Sequence, residues 1–122
     1  YVGDNSLKDI LISSLERLEY RGYDSSGIGI IENNEIKLFK EVGKVQALKD
    51  NLNNINFSSN IGIGHTRWAT HGIANEVNAH PHRIGKFTVV HNGIVENYTY
   101  TLKLLRVKTQ GLFILRKGSE KV

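Results

Sequence analysis

Ile61-Gly62-Ile63-Gly64-His65-Thr66-Arg67-Trp68-Ala69-Thr70-His71-Gly72 changes character halfway along its length. Ile61 to Thr66 is short, rich in isoleucine and bounded by a polar turn, which predicts a strand. From His65 onward the residues are those that bind and catalyse. A second stretch repeats the design: Phe87-Thr88-Val89-Val90-His91 reads as a strand and runs directly into Asn92-Gly93. An Arg at a strand end, as at Arg67, can hold a carboxylate through two parallel hydrogen bonds, a geometry that Lys lacks. The pattern points to an amino-acid or other carboxylate ligand. The polar segment from Arg67 to Gly85 is long for a connection, and loops of that length inside a domain are commonly functional.

Toward the N-terminus, Leu7, Ile10, Leu11, Leu15 and Leu18 recur at helical spacing between Ser6 and Tyr20. Asp4, Asn5 and Ser6 are candidate N-caps, and Gly22 follows the last turn. Gly27 to Ile31 and the alternating Ile36, Leu38 and Lys40 flank Asn33-Asn34, which predicts a β-hairpin. Val45 to Leu52 reads as a short helix and Asn97 to Arg106 as another, the latter weakened by the β-branched Thr99 and Thr101. The mixture is α+β, and 122 residues set one domain as the expectation.

Charge is distributed unevenly. Residues 1–100 carry ten Lys and Arg against eleven Asp and Glu, whereas residues 101–122 carry six against Glu120 alone. The net charge of +4 therefore belongs to the tail, away from the residues with motif character. A basic nucleic-acid-binding module is the alternative this tail and Trp68 would serve, and its affinity would fall steeply with salt. No apolar run approaches the roughly 20 residues that cross a bilayer, so no membrane partner is expected, and no signal-peptide pattern opens the chain. The cytoplasm is the expected compartment. The chain holds no cysteine, which excludes disulfides and thiolate ligands within it.

Several candidates have competing readings. Asn92-Gly93 is a common tight-turn dipeptide, but an Asn side-chain amide and a Gly N–H can also form an oxyanion hole, where one donor contributes roughly 3 to 4 kcal/mol. Five histidines lie between His65 and His91. His80 and His82 would point to opposite faces of an extended chain and match no zinc spacing, so no metal is expected. Trp68 is a core anchor, a stacking surface or part of a lid. Gly62 and Gly64 lack the third glycine of a nucleotide-binding fingerprint. Arg21 and Asp24 could form a capping ion pair.

Four segments in order resemble the N-terminal domain of the glutamine-fructose-6-phosphate aminotransferases: residues 18–27 (Leu-Glu-Tyr-Arg-Gly-Tyr-Asp-Ser-Ser-Gly), 65–72, Asn78-Ala79-His80-Pro81-His82, and 90–98 (Val-His-Asn-Gly-Ile-Val-Glu-Asn-Tyr). The resemblance implies an N-terminal-nucleophile hydrolase fold, a four-layer αββα sandwich with two antiparallel sheets, truncated here. It implies glutamine as ligand, cleaved to glutamate and ammonia without a cofactor. In the full-length family, usually oligomeric, a sugar isomerase domain that binds fructose 6-phosphate uses the ammonia to form glucosamine 6-phosphate. Carried over by motif, Arg67 would bind the glutamine α-carboxylate, Thr70 and His71 would complete the pocket, Trp68 would belong to the closing loop, and His80 would lie near it. Asn92 and Gly93 would form the oxyanion hole, and Arg21 would position the chain terminus that carries the nucleophile.

Family members open with Cys-Gly-Ile-Val-Gly just before the segment matching Tyr1-Val2-Gly3. The expectation is therefore a partial domain over residues 1–100 that is inactive as it stands, followed by a basic tail over residues 101–122 that does not match the family and suggests a frameshift. A catalytically silent glutamine-binding or regulatory remnant is the second reading.

Overall fold

The computed structural model describes residues 1–69 and 72–93, together with the backbone of residues 111–115. Helix α1 spans Leu7–Leu18, shorter than the Ser6 to Tyr20 expected, because the chain tightens into a 3₁₀ turn at Glu19–Arg21. The Ser6 hydroxyl caps its start by accepting from the Asp9 N–H at 3.5 Å, with Asp9 in the first turn and Arg17 in the last, each where the helix dipole favours it. Leu7, Leu11, Ile12 and Leu15 form the buried stripe, while Leu18 overhangs it.

Strands β1 (Ser25–Glu32) and β2 (Glu35–Val42) form the expected hairpin. Asn33 and Asn34 both have positive φ, 52° and 66°, the backbone of a type I′ turn, which Asn tolerates better than most residues. Helix α2 (Val45–Asn51) follows, then β3 (Gly62–Arg67), which pairs antiparallel with the other edge of β1. The first sheet thus has the order β2-β1-β3. Beyond β3, Tyr1–Gly3 begin a further antiparallel pairing: Val2 bridges Ile61, Tyr1 N donates to Gly62 O at 2.8 Å, and Gly62 N donates to Tyr1 O at 3.0 Å.

The two faces of β1 do different work. Ile28 and Ile30 point to one side, where they are sealed with Leu7, Leu11, Leu15, Val45, Leu48 and Leu52 in a core between sheet and helices. Each such side chain contributes about 1.5–3 kcal/mol on burial. Gly62 and Gly64 lie beneath α1 on this side: a Cβ at Gly62 would meet Leu11 Cδ1 at 2.9 Å, and one at Gly64 would meet Leu15 at 3.3 Å. Their role is close helix packing.

On the opposite face the second sheet approaches. A Cβ at Gly27 would lie 2.2 Å from the His80 carbonyl oxygen, and one at Gly29 would lie 3.1 Å from Thr88 Cγ2 and 3.5 Å from Pro81 Cγ. Only glycine at residue 27 lets the layers come this close. The second sheet has the order β4-β5-β6, with β4 His82–Ile84, β5 Phe87–His91 and β6 Gly111–Leu115. The described residues therefore form three layers, helix on sheet on sheet.

Two expectations are modified. The segment from Arg67 to Gly85 is not wholly irregular, since β4 occupies its end and pairs with β5 across Gly85-Lys86. The second sheet is mixed: β4 and β5 are antiparallel, but β5 and β6 are parallel. The chain between β5 and β6 is long enough for the return that parallel pairing requires. The expected helix from Asn97 to Arg106 lies outside the described residues, as does most of the basic tail.

Candidate functional site

The strand ends converge at one edge of the two sheets. His65 in β3 faces the inter-sheet space, and its ring lies 4.4 Å from that of His80, tilted by 31°. The His80 ring in turn meets the edge of His82 at 4.4 Å. The expectation that His80 and His82 point to opposite faces is thereby corrected. Alternation holds within a regular strand, and His80 precedes β4, in the bend before Pro81. The His91 backbone N–H at the end of β5 donates to His80 Nδ1 at 3.3 Å, so neutral His80 carries its proton on Nε2. This bond ties the His80-Pro81-His82 segment to the His91-Asn92-Gly93 segment.

Burial keeps this cluster uncharged. Desolvation, aided by the neighbouring His82, His91 and Arg67, pushes His65 down to about 4. Desolvation together with His65, His82, Arg67 and Lys40 pushes His80 down to about 3. His82 is lowered as well, first by burial and then by Lys40 and Arg67. Among the described residues no group of three or more His, Cys, Asp or Glu is arranged for a metal ion.

Arg67 is the last residue of β3. Among its contacts, the guanidinium donates to the carbonyls of Ile73 at 3.3 Å and Gly72 at 3.5 Å, folding the following loop back over the strand end. Asn78 supports the same loop by donating to Ile73 O at 3.1 Å. Trp68 is 56% exposed and lies against Tyr23, ring centroids 5.7 Å apart. It is therefore no core anchor. Ile73 and Val77, further along the chain, are also exposed.

Asn92 and Gly93 leave β5 on the exposed side. Gly93 has φ 152°, a region that favours glycine, and a Cβ there would meet His91 Cε1 at 2.9 Å. His91 Nδ1–H donates to Gly93 O at 3.1 Å and holds the turn. The dipeptide is not the two-residue hairpin loop its composition suggests, because positive φ occurs at Gly93 and not at Asn92. Thr70 and His71 lie outside the described residues. Arg21 is exposed at the end of the 3₁₀ turn.

Sequence reasoning offered Asp24 only as an ion-pair partner of Arg21 and missed its contact with the loop after β3. Its carboxylate does not pair with Arg21. Asp24 Oδ2 accepts from the Ala69 N–H at 2.6 Å, and its own N–H donates to Arg67 O at 3.1 Å. No periodicity signals a contact across 45 residues; only the adjacent placement of β1 and β3 creates it.

No family model matches the sequence. Among curated proteins, the chain is 50% identical over 100 residues to the glutamine-fructose-6-phosphate aminotransferase (isomerizing) of Staphylococcus epidermidis, and 48% identical over 100 residues to that of Staphylococcus aureus. Over these residues the chain is similar to that family. The matches cover 80% of the chain but only 17% of each aminotransferase, so the chain spans about a sixth of the length of these relatives. The fold brings His65, His80, His82 and the start of the His91-Asn92-Gly93 segment together.

Proposed function

We propose that these residues form the glutamine-binding and transition-state-stabilising part of a glutaminase domain, which in the whole protein supplies ammonia for glucosamine 6-phosphate synthesis from fructose 6-phosphate. Arg67 holds the α-carboxylate of glutamine, with Trp68, Thr70, His71 and His80 around it. The Asn92 side-chain amide and the Gly93 N–H donate to the oxygen that becomes negative as the carboxamide carbon turns tetrahedral. Ammonia then leaves, and water releases glutamate from the acyl intermediate.

The observation that carries this reading is the register at the chain start. Val2 opposes Ile61 and Tyr1 exchanges both backbone hydrogen bonds with Gly62. If the pairing continues one residue at a time, the fifth residue before Tyr1 comes level with Arg67. In the family pattern Cys-Gly-Ile-Val-Gly, that residue is the cysteine. Its thiol would stand beside the carboxylate anchor, and its own α-amine, with a pKa near 8, could take the thiol proton. The 122 residues hold no cysteine, so the nucleophile is a contribution from outside them.

The test is a chain in which Cys-Gly-Ile-Val-Gly is joined ahead of Tyr1 with the cysteine as the free N-terminus. Glutamine-dependent ammonia release is expected from it and not from its Cys→Ser counterpart. Equal ammonia from both, or none from either while glutamine binds, would overturn the assigned geometry. A silent glutamine-binding domain would be distinguished by glutamine binding that no added terminus converts to hydrolysis.

A further inference from the structure

Residues 22–24 meet residues 67–69 at every position. A Cβ on buried Gly22 would lie 2.7 Å from the Arg67 carbonyl carbon and 2.9 Å from Trp68 N, so backbone packs directly on backbone. Tyr23 lays its ring against Trp68 at 5.7 Å. Asp24 closes the contact, with its N–H on Arg67 O at 3.1 Å and its carboxylate on Ala69 N–H at 2.6 Å. The Asp24 carbonyl accepts from Gly43 N–H at 2.8 Å, which ties the same residue to the end of the β1–β2 hairpin. Asp24 is thus fixed on its backbone by two rigid elements, and its side chain is free to serve only the first loop residues after β3.

The consequence for Arg67 is geometric. β3 ends at Arg67, and the chain beyond it is held by side chains rather than by a ladder. The Asp24 carboxylate accepts from the N–H of Ala69, two residues past the strand end, in a charge-assisted bond, among the stronger kinds. We infer that Asp24 is a positioning residue: through Ala69 and Arg67 it sets the direction of the Arg67 guanidinium and the place of Trp68, and so determines how well the site accepts an α-carboxylate. The inference rests on the glutamine reading for its ligand, but the clamp itself can be tested without one.

Trp68 is the one tryptophan in the chain and reports on the loop directly. Asp24→Ala removes the acceptor, whereas Asp24→Asn keeps a side-chain carbonyl at the same place. In ligand-free protein, acrylamide quenching of Trp68 should rise at least about twofold in D24A and stay near wild type in D24N. Calorimetric titration with L-glutamine should show D24A weakened about tenfold or more and D24N within about threefold. Unchanged quenching and affinity in D24A would overturn the inference. If wild type fails to bind glutamine, the functional reading falls, while quenching still decides the clamp. Should D24A not fold, D24S, whose hydroxyl is too short to span the gap, replaces it with the same expected outcomes. A merely structural role would lower both variants' thermal midpoints together without the recovery by Asn.

Discussion

Acidification from pH 7 to pH 5 should destabilise this domain through its histidines. His65 and His80 titrate at about 4 and about 3 in the folded chain, against 6.5 for an ordinary histidine. A group whose folded pKa is depressed costs nothing above its unfolded pKa. As pH falls below 6.5 the unfolded chain takes up protons that the folded chain refuses, and stability is lost until the folded pKa is reached. At pH 5 each histidine has used about 1.5 pH units of that window, which is about 2 kcal/mol. Both rings keep some solvent contact, so the pair together costs about 3 kcal/mol, a large part of the roughly 5–15 kcal/mol typical of a domain. The thermal midpoint should fall by about 10–20 °C between pH 7 and pH 5. Glu32, held near 2 chiefly by Lys37 and Ser58, leaves this window clear because its own stabilisation begins to fade only below its ordinary value of 4.5. Differential scanning fluorimetry across the range reads the slope directly. His65→Asn combined with His80→Gln should flatten it. A wild-type midpoint constant between pH 7 and pH 5, or a double variant with the wild-type slope, would refute the buried neutral cluster.

Gly27→Ala should destabilise by about 2–4 kcal/mol, because the new methyl would lie 2.2 Å from the His80 carbonyl oxygen and both layers are backbone there; urea unfolding measures it. Leu48→Ala, in the core between sheet and helices, should cost about 2–5 kcal/mol without changing any ligand contact, and an unfolding midpoint unchanged from wild type would show that α2 is not packed as described. Arg67→Lys should weaken L-glutamine binding by about tenfold or more, since a point charge cannot replace a two-pronged donor, and calorimetry with equal affinities would remove Arg67 from the carboxylate site.

Much of this architecture was legible in the sequence. The leucine spacing of α1, the Asn33-Asn34 turn and the short apolar runs of β1, β3 and β5 are local patterns, and local patterns survive folding. The elements that were misjudged depend on distant chain. β4 has three residues and no period of its own, and it exists because β5 lies beside it. Gly62 and Gly64 looked like a weak phosphate motif, and their reason is the approach of α1. His80 and His82 were assigned opposite faces by strand alternation, which does not extend through the bend before Pro81. Asp24 illustrates the same limit at the site: the motif contained it, but its partner at Ala69 is visible only once β1 and β3 are side by side.

The central claim is that the strand ends carrying Arg67, Trp68, Asn92 and Gly93 make one glutamine site. Two-dimensional amide NMR during titration with L-glutamine tests it most directly. The account predicts saturable shifts concentrated at Arg67, Trp68, Ala69, Asn92 and Gly93, with the helix α1 amides unmoved. Shifts absent at millimolar glutamine, or confined to other surfaces, would contradict it.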